Sequence, residues 1–96
     1  MAKGYWVSVY RTISDPEKLA AYSALAGPAV KAAGGRTFVR GGRVAAYDEG
    51  IAERVVLIEF DSFEQAVAAR ESEAYQEALR VLSDAVERDF RIVEGL

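Results

Sequence analysis

The sequence predicts an α+β fold in which an antiparallel sheet is covered by helices, with the element order β-α-β-β-α-β. Three observations carry this. Runs of β-branched and aromatic residues stand near both ends and in the middle of the chain. Between them lie apolar stripes at three- and four-residue spacing, each opened by a capping residue. The total of 96 residues is enough for one core and too few for two, so a single domain over 1–96 is expected.

The first strand is expected over 4–11, where Tyr5-Trp6-Val7-Ser8-Val9-Tyr10 has no Gly, Pro or charge to interrupt pairing. Asp15-Pro16 then supplies a capping acceptor followed by a proline at the first helical position, where a missing N–H costs nothing, and Glu17 favours the positive end of the helix. Leu19, Tyr22, Ala26, Ala29, Val30 and Ala33 form the apolar face of this helix. Gly27-Pro28 should kink or restart it, because Pro28 cannot donate to the carbonyl of Ala24, and Gly34-Gly35 should stop it.

Arg36 to Asp48 reads as extended chain, and Gly41-Gly42 within it is either a two-residue hairpin turn or a bulge that bends one long strand, the bend being preferred. Asp48-Glu49-Gly50 is a turn leading into Arg54-Val55-Val56-Leu57-Ile58-Glu59-Phe60, the strongest strand in the chain. Ser62-Phe63-Glu64-Gln65 has the capping-box form, Ser72 offers a second cap, and Tyr75, Ala78, Leu79, Leu82, Ala85 and Val86 trace a further helical stripe. Phe90-Arg91-Ile92-Val93 closes the chain as a short strand. Four strands and two helical layers in this order define the ferredoxin-like split βαβ arrangement, with the first strand beside the third and the last strand on its other side.

Composition narrows the chemistry. Without Cys or His the chain has no thiolate or imidazole for metal ligation, disulfide formation or acid–base work, and neither a metal nor a cofactor is expected. A net charge of -3 has the wrong sign for phosphate-backbone binding, so nucleic acid is not an expected partner. No apolar stretch approaches the roughly 20 residues of a membrane span, which argues against a membrane partner and for the cytoplasm.

Helices on one side of a sheet leave the other side open, and a lone domain should then be polar there. These strands carry large apolar groups at both alternations. The helix-facing set is read as Val7, Val9, Val56, Ile58, Phe90 and Ile92, which leaves Trp6, Tyr10, Val55, Leu57 and Val93 on the open side. A patch on the order of several hundred Å² is more than soluble monomers leave wet, and a second copy of the chain is the economical cover.

The segments Gly4-Tyr5-Trp6, Pro28, Phe38-Val39-Arg40-Gly41-Gly42, Arg54 through Phe63, Ser72-Glu73-Ala74-Tyr75-Gln76 and Val93-Glu94-Gly95 together resemble the domain of unknown function 1330 family along nearly the whole chain. That resemblance implies a dimeric α+β barrel, in which two ferredoxin-like sheets close on each other. It implies no reaction, because superfamily relatives include small monooxygenases, muconolactone isomerases, haem-binding enzymes and stress-responsive proteins, and fold does not choose among them.

If the open face encloses a cavity, the residues expected there are Trp6, Ser8, Tyr10, Arg40, Glu59 and Arg91. A mostly apolar pocket with a few polar anchors is the form of a small-molecule site. Arg40 or Arg91 would hold a carboxylate or enolate in a fork, and Glu59 would take a proton if apolar neighbours disfavoured its ionised form. The plainer alternative is an ion pair of Glu59 with an arginine at a subunit boundary. Tyr22 and Tyr75 are read as core rings whose hydroxyls reach a rim partner. Arg40-Gly41-Gly42-Arg43 fits no phosphate-binding fingerprint. The expected protein is thus a homodimer enclosing a small organic ligand. Its rivals are a cofactor-free isomerase or monooxygenase-like enzyme using Glu59 with Arg40 or Arg91, and a structural or regulatory homodimer with a filled barrel.

Overall fold

The computed structural model describes residues 2–96. Its elements are β1 (Gly4–Ile13), α1 (Pro16–Ala32), β2 (Arg36–Arg40), β3 (Val55–Phe60), α2 (Phe63–Glu71), α3 (Glu73–Leu82) and β4 (Val86–Glu94). The strands form one sheet in the order β2-β3-β1-β4, with every neighbouring pair antiparallel. The helices lie on one face of it, and α1 packs against α3. This is the ferredoxin-like α+β arrangement that the element order implies.

Local signals place the helices. Asp15 accepts from the N–H groups of Glu17 and Lys18, both at 3.1 Å, with Pro16 in the first turn. The expected interruption at Gly27-Pro28 does not occur: α1 runs unbroken to Ala32, because buried Ala26, Ala29 and Val30 on either side anchor it to the core. Gly34, at a φ of +88°, turns the chain, and the Gly35 N–H returns to the Val30 carbonyl at 2.9 Å. At α2 the Ser62 hydroxyl accepts from the Gln65 N–H at 3.1 Å, but the Gln65 side chain does not close the reciprocal half of a capping box. It donates instead to the carbonyl of Ala33 at 3.0 Å, tying the end of α1 to the start of α2.

Three boundaries differ from the sequence reading. α3 ends at Leu82, and Val86, which fits the helical stripe, begins a nine-residue β4. Pairing along β1 from Ile13↔Val86 to Gly4↔Glu94 provides a ladder that outweighs the helical periodicity. β1 itself continues to Ile13 past an irregularity at Arg11. β2 stops at Arg40: Gly41 and Gly42 take φ values of +74° and +88°, and the chain leaves the sheet until Val55, so the glycines make neither a hairpin turn nor a bend in one long strand. The bulge in β2 lies at Phe38, between Thr37 and Val39.

The largest correction concerns which face of β1 is covered. Trp6, Ser8 and Tyr10 are buried against the helices, at 2%, 2% and 1% exposure, whereas Val9 is 36% exposed. The register requires this. Trp6 stands opposite Ile58 and Ile92, and Ser8 opposite Val56 and Phe90; directly paired residues share a face, so all six face the helices. Val7 and Val9 lie on the open face with Val55, Leu57, Asp89 and Arg91.

The helices explain the choice. Ala66, Ala69 and Ala78 present small side chains inward and are almost wholly buried, leaving a deep layer that only large rings fill. The Trp6 ring lies 5.0 Å from Phe60, 4.8 Å from Tyr75 and 5.3 Å from Phe90, and its indole N–H donates to the Ala66 carbonyl at 2.8 Å. β1 approaches α2 so closely that a Cβ at Gly4 would lie 2.4 Å from the Ser62 carbonyl oxygen.

Candidate functional site

A cavity of about 60 Å³ opens between α1 and the sheet. Its floor is Trp6, Ser8 and Tyr10 of β1, with Val56 and Ile58 of β3 and Arg88 and Phe90 of β4. Its roof is Tyr22, Ser23, Ala26, Gly27 and Val30 of α1. Thr37 and Arg40 of β2 and Arg54, just before β3, complete the rim. Alternation positions the floor residues, since each lies on the helix side of its strand. The space suits a few water molecules or the head of a small ligand, each water needing about 10–15 Å³.

The polar chemistry divides into a satisfied cluster and an unsatisfied one. In the first, the Arg88 guanidinium donates to the phenol oxygens of Tyr10 at 3.1 Å, Tyr22 at 3.3 Å and Tyr75 at 3.4 Å, and the Tyr22 and Tyr75 hydroxyls hydrogen-bond to each other. Burial raises the Tyr22 pKa above the ordinary phenol value, and Tyr75 adds to this against the opposing pull of Arg88. Burial works against the charge on Arg88, but Tyr22, Tyr75 and Tyr10 more than offset it, and its pKa is raised. The guanidinium also lies 5.0 Å from the centre of the Phe90 ring and 5.6 Å from that of Tyr10. This cluster stays charged and hydrogen-bonded at neutral pH.

The second cluster is Ser8 Oγ and Arg54 Nε. Both atoms are buried, neither has a hydrogen-bond partner among the described residues, and both residues line the cavity. The backbone of Arg54 is held by its carbonyl, which accepts from the Tyr10 N–H at 2.9 Å. A second, more open depression of about 400 Å³, lined by Arg11, Leu79, Ser83 and Glu87, lies on another side of Arg88, and neither of these orphaned atoms belongs to it.

The structure therefore brings together four of the six residues singled out in the sequence, Trp6, Ser8, Tyr10 and Arg40, but on the helix-covered side of the sheet rather than the open one. Glu59 and Arg91 lie on the opposite face and apart from each other. Glu59 accepts from the Tyr5 hydroxyl at 2.9 Å and from Arg36 Nε at 3.0 Å. Hydrogen bonding from Tyr5, then from Arg36, lowers its pKa despite partial desolvation, the reverse of the raised value that a base near neutrality requires. Its arginine partner is Arg36 rather than Arg40 or Arg91. Arg91 is exposed and pairs with Asp89 at 3.0 Å.

Sequence reasoning missed Arg54 and Arg88, while Tyr22 and Tyr75 are core rings whose hydroxyls reach a partner, as read, and that partner is Arg88. The alternation Arg88, Phe90, Ile92 was the available signal for Arg88, concealed by starting the last strand at Phe90. Arg54 opens the run that ends at Phe60, and its alternation with Val56 and Ile58 was the available signal that it shares their face.

Comparison with solved structures shows the same architecture. A methylated form of the protein RPA0582 superposes with a TM-score of 0.76 at 19% identity, covering 99% of this chain and 82% of that one. RPA0582 from Rhodopseudomonas palustris, a protein of unknown function, gives 0.70 at 22% identity, covering 97% and 80%. A Nitrosomonas europaea protein named as a candidate antibiotic biosynthesis monooxygenase gives 0.58 at 15% identity, covering 99% and 90%. Likeness at these identities establishes the fold and leaves the chemistry to the site. No curated protein matches. The family match is to the domain of unknown function DUF1330, and it spans residues 3–96, so the chain belongs to the DUF1330 family.

Proposed function

We propose that this protein binds a small organic molecule in the cavity between α1 and the sheet, and that it does so as a homodimer joined through the open face. One observation carries the first part: two buried polar atoms, Ser8 Oγ and Arg54 Nε, lack partners and belong to the same cavity. A fold tolerates few such atoms, and their convergence supports a ligand that satisfies both. The surrounding Trp6, Val30, Val56, Ile58 and Phe90 would enclose an apolar body. The lining offers hydrogen-bond donors and phenols but no carboxylate, which favours binding over a base-catalysed reaction at this site.

The assembly rests on Val9, Val39 and Val93, which stand 36%, 37% and 48% exposed on one sheet face beside half-buried Val7, Val55 and Leu57. A two-fold copy of the same face would cover them.

Trp6 is the sole tryptophan and lies in the cavity wall, so it reports occupancy directly. A fragment set containing neutral, acidic and basic small molecules is expected to include members that saturably shift the Trp6 indole resonance. Ser8→Leu, which fills the cavity, should abolish the response while keeping the fold. If no fragment moves that resonance, or Ser8→Leu responds as the native chain does, the binding reading fails.

A further inference from the structure

We infer that the ligand is a small carboxylate, its anionic head bound by Arg54 and Ser8 and its apolar part lying against Trp6 and Val56; this deepens the binding reading above and rests on it. The chain carries a net charge of -3, yet Arg40, Arg54 and Arg88 all line this cavity and no Asp or Glu does. Among the described residues none of the three pairs with a carboxylate, whereas Arg36, Arg80 and Arg91 all do. Positive charge concentrated in a partly desolvated space without a counter-ion is poised for an anion.

The three arginines have different tasks. Arg88 commits three of its five N–H donors to phenols, so its main contribution is field. Arg54 keeps a buried Nε–H free, and Ser8 has a free hydroxyl. Those two donors match the two oxygens of one carboxylate. Arg40, exposed at the rim, draws the anion to the mouth. Inorganic phosphate is the poorer match, because its oxygens point in every direction and would meet Val30, Val56 and Ile58 on the remaining sides.

The test compares propanoate with its neutral counterpart propanamide at constant low ionic strength, following the Trp6 indole and Arg54 Nε–H resonances. Propanoate should shift both saturably and bind at least about tenfold more tightly than propanamide, the ratio expected for a charge-assisted pair. Arg54→Gln should remove most of that advantage and Arg54→Lys should restore part of it, with circular dichroism confirming that both variants fold. Equal affinity for the acid and the amide overturns the carboxylate assignment while leaving the pocket standing. The same holds if neutral fragments shift Trp6 and propanoate does not, or if phosphate competes as well as propanoate. If neither probe nor any fragment shifts Trp6, the binding reading falls with it.

Discussion

The two faces of the sheet are built from the same kinds of residue and carry opposite chemistry. On the helix side, Trp6, Tyr10, Phe60 and Tyr75 are almost fully buried, and the charges there are arginines without acidic partners among the described residues. On the open side valines stand partly exposed, and the charges form ion pairs, Arg36 with Glu59 and Asp61, and Arg91 with Asp89. Paired charges at the sheet's rim are balanced and screened, so they contribute little that is specific. Unbalanced charge enclosed under a helix retains its field, which is why the proposed binding is assigned to that side.

Substitution of the central ring should separate the two faces most sharply. Trp6→Ala leaves a hole among Phe60, Tyr75 and Phe90 and strands the Ala66 carbonyl, and should cost about 3–5 kcal/mol in urea unfolding. Val9→Ala on the reverse face of the same strand should cost far less in a monomer. A comparable loss there would show that the open face is buried in solution.

Assembly is the next lever. Leu57→Lys places a charge in the middle of the open face and should halve the mass seen by light scattering while the far-ultraviolet circular dichroism is retained. An unchanged mass, whether one chain or two, removes the proposed interface from this face.

Tyr75→Phe deletes a hydroxyl that Arg88 and Tyr22 both use, at a cost of about 1–3 kcal/mol. A neutral outcome would mean that water or Tyr10 replaces it.

Titration should act on the two faces at opposite ends of the pH scale. Glu59, Asp61 and Asp89 have folded pKa values lowered by Tyr5 and Arg36, by Arg36, and by Arg91 respectively. Their stabilisation is complete above the unfolded carboxylate values, roughly 4, and is lost as pH falls through the lower folded ones. Tyr22, raised by burial, contributes below the unfolded phenol value of roughly 10 and loses that contribution as pH rises through its folded pKa. Urea midpoints across pH should therefore decline at both extremes, with Arg36→Gln flattening the acid limb and Tyr22→Phe the alkaline one. Arg80→Ala, which breaks exposed contacts to Glu73 and Glu77 on α3, should leave the midpoint unchanged.

Much of the fold was readable because its signals are local. Asp15-Pro16, Ser62 and Ser72 cap helices where they stand, since a cap depends on a few neighbouring N–H groups. The boundary at Val86 was not readable, because a residue that fits a helical stripe was claimed by β1, more than 70 positions earlier in the chain. Within the site, alternation grouped Trp6, Ser8 and Tyr10 correctly and assigned the group to the wrong side. The rings on that strand belong where the helices present alanine, and this complementarity between β1 and α2–α3 was visible only once the two were opposed.

The amino-acid sequence alone determined the order of elements, their caps and which residues share a face within each strand, since periodicity and capping depend on backbone geometry over a few residues. The tertiary structure decided which set lies beneath the helices, and with it the separation of Glu59 and Arg91 from Trp6, Ser8, Tyr10 and Arg40. A strand with two apolar faces has two orientations that are locally equivalent. Only pairing with β3 and β4, and the volume left under small helical side chains, makes one of them lower in free energy.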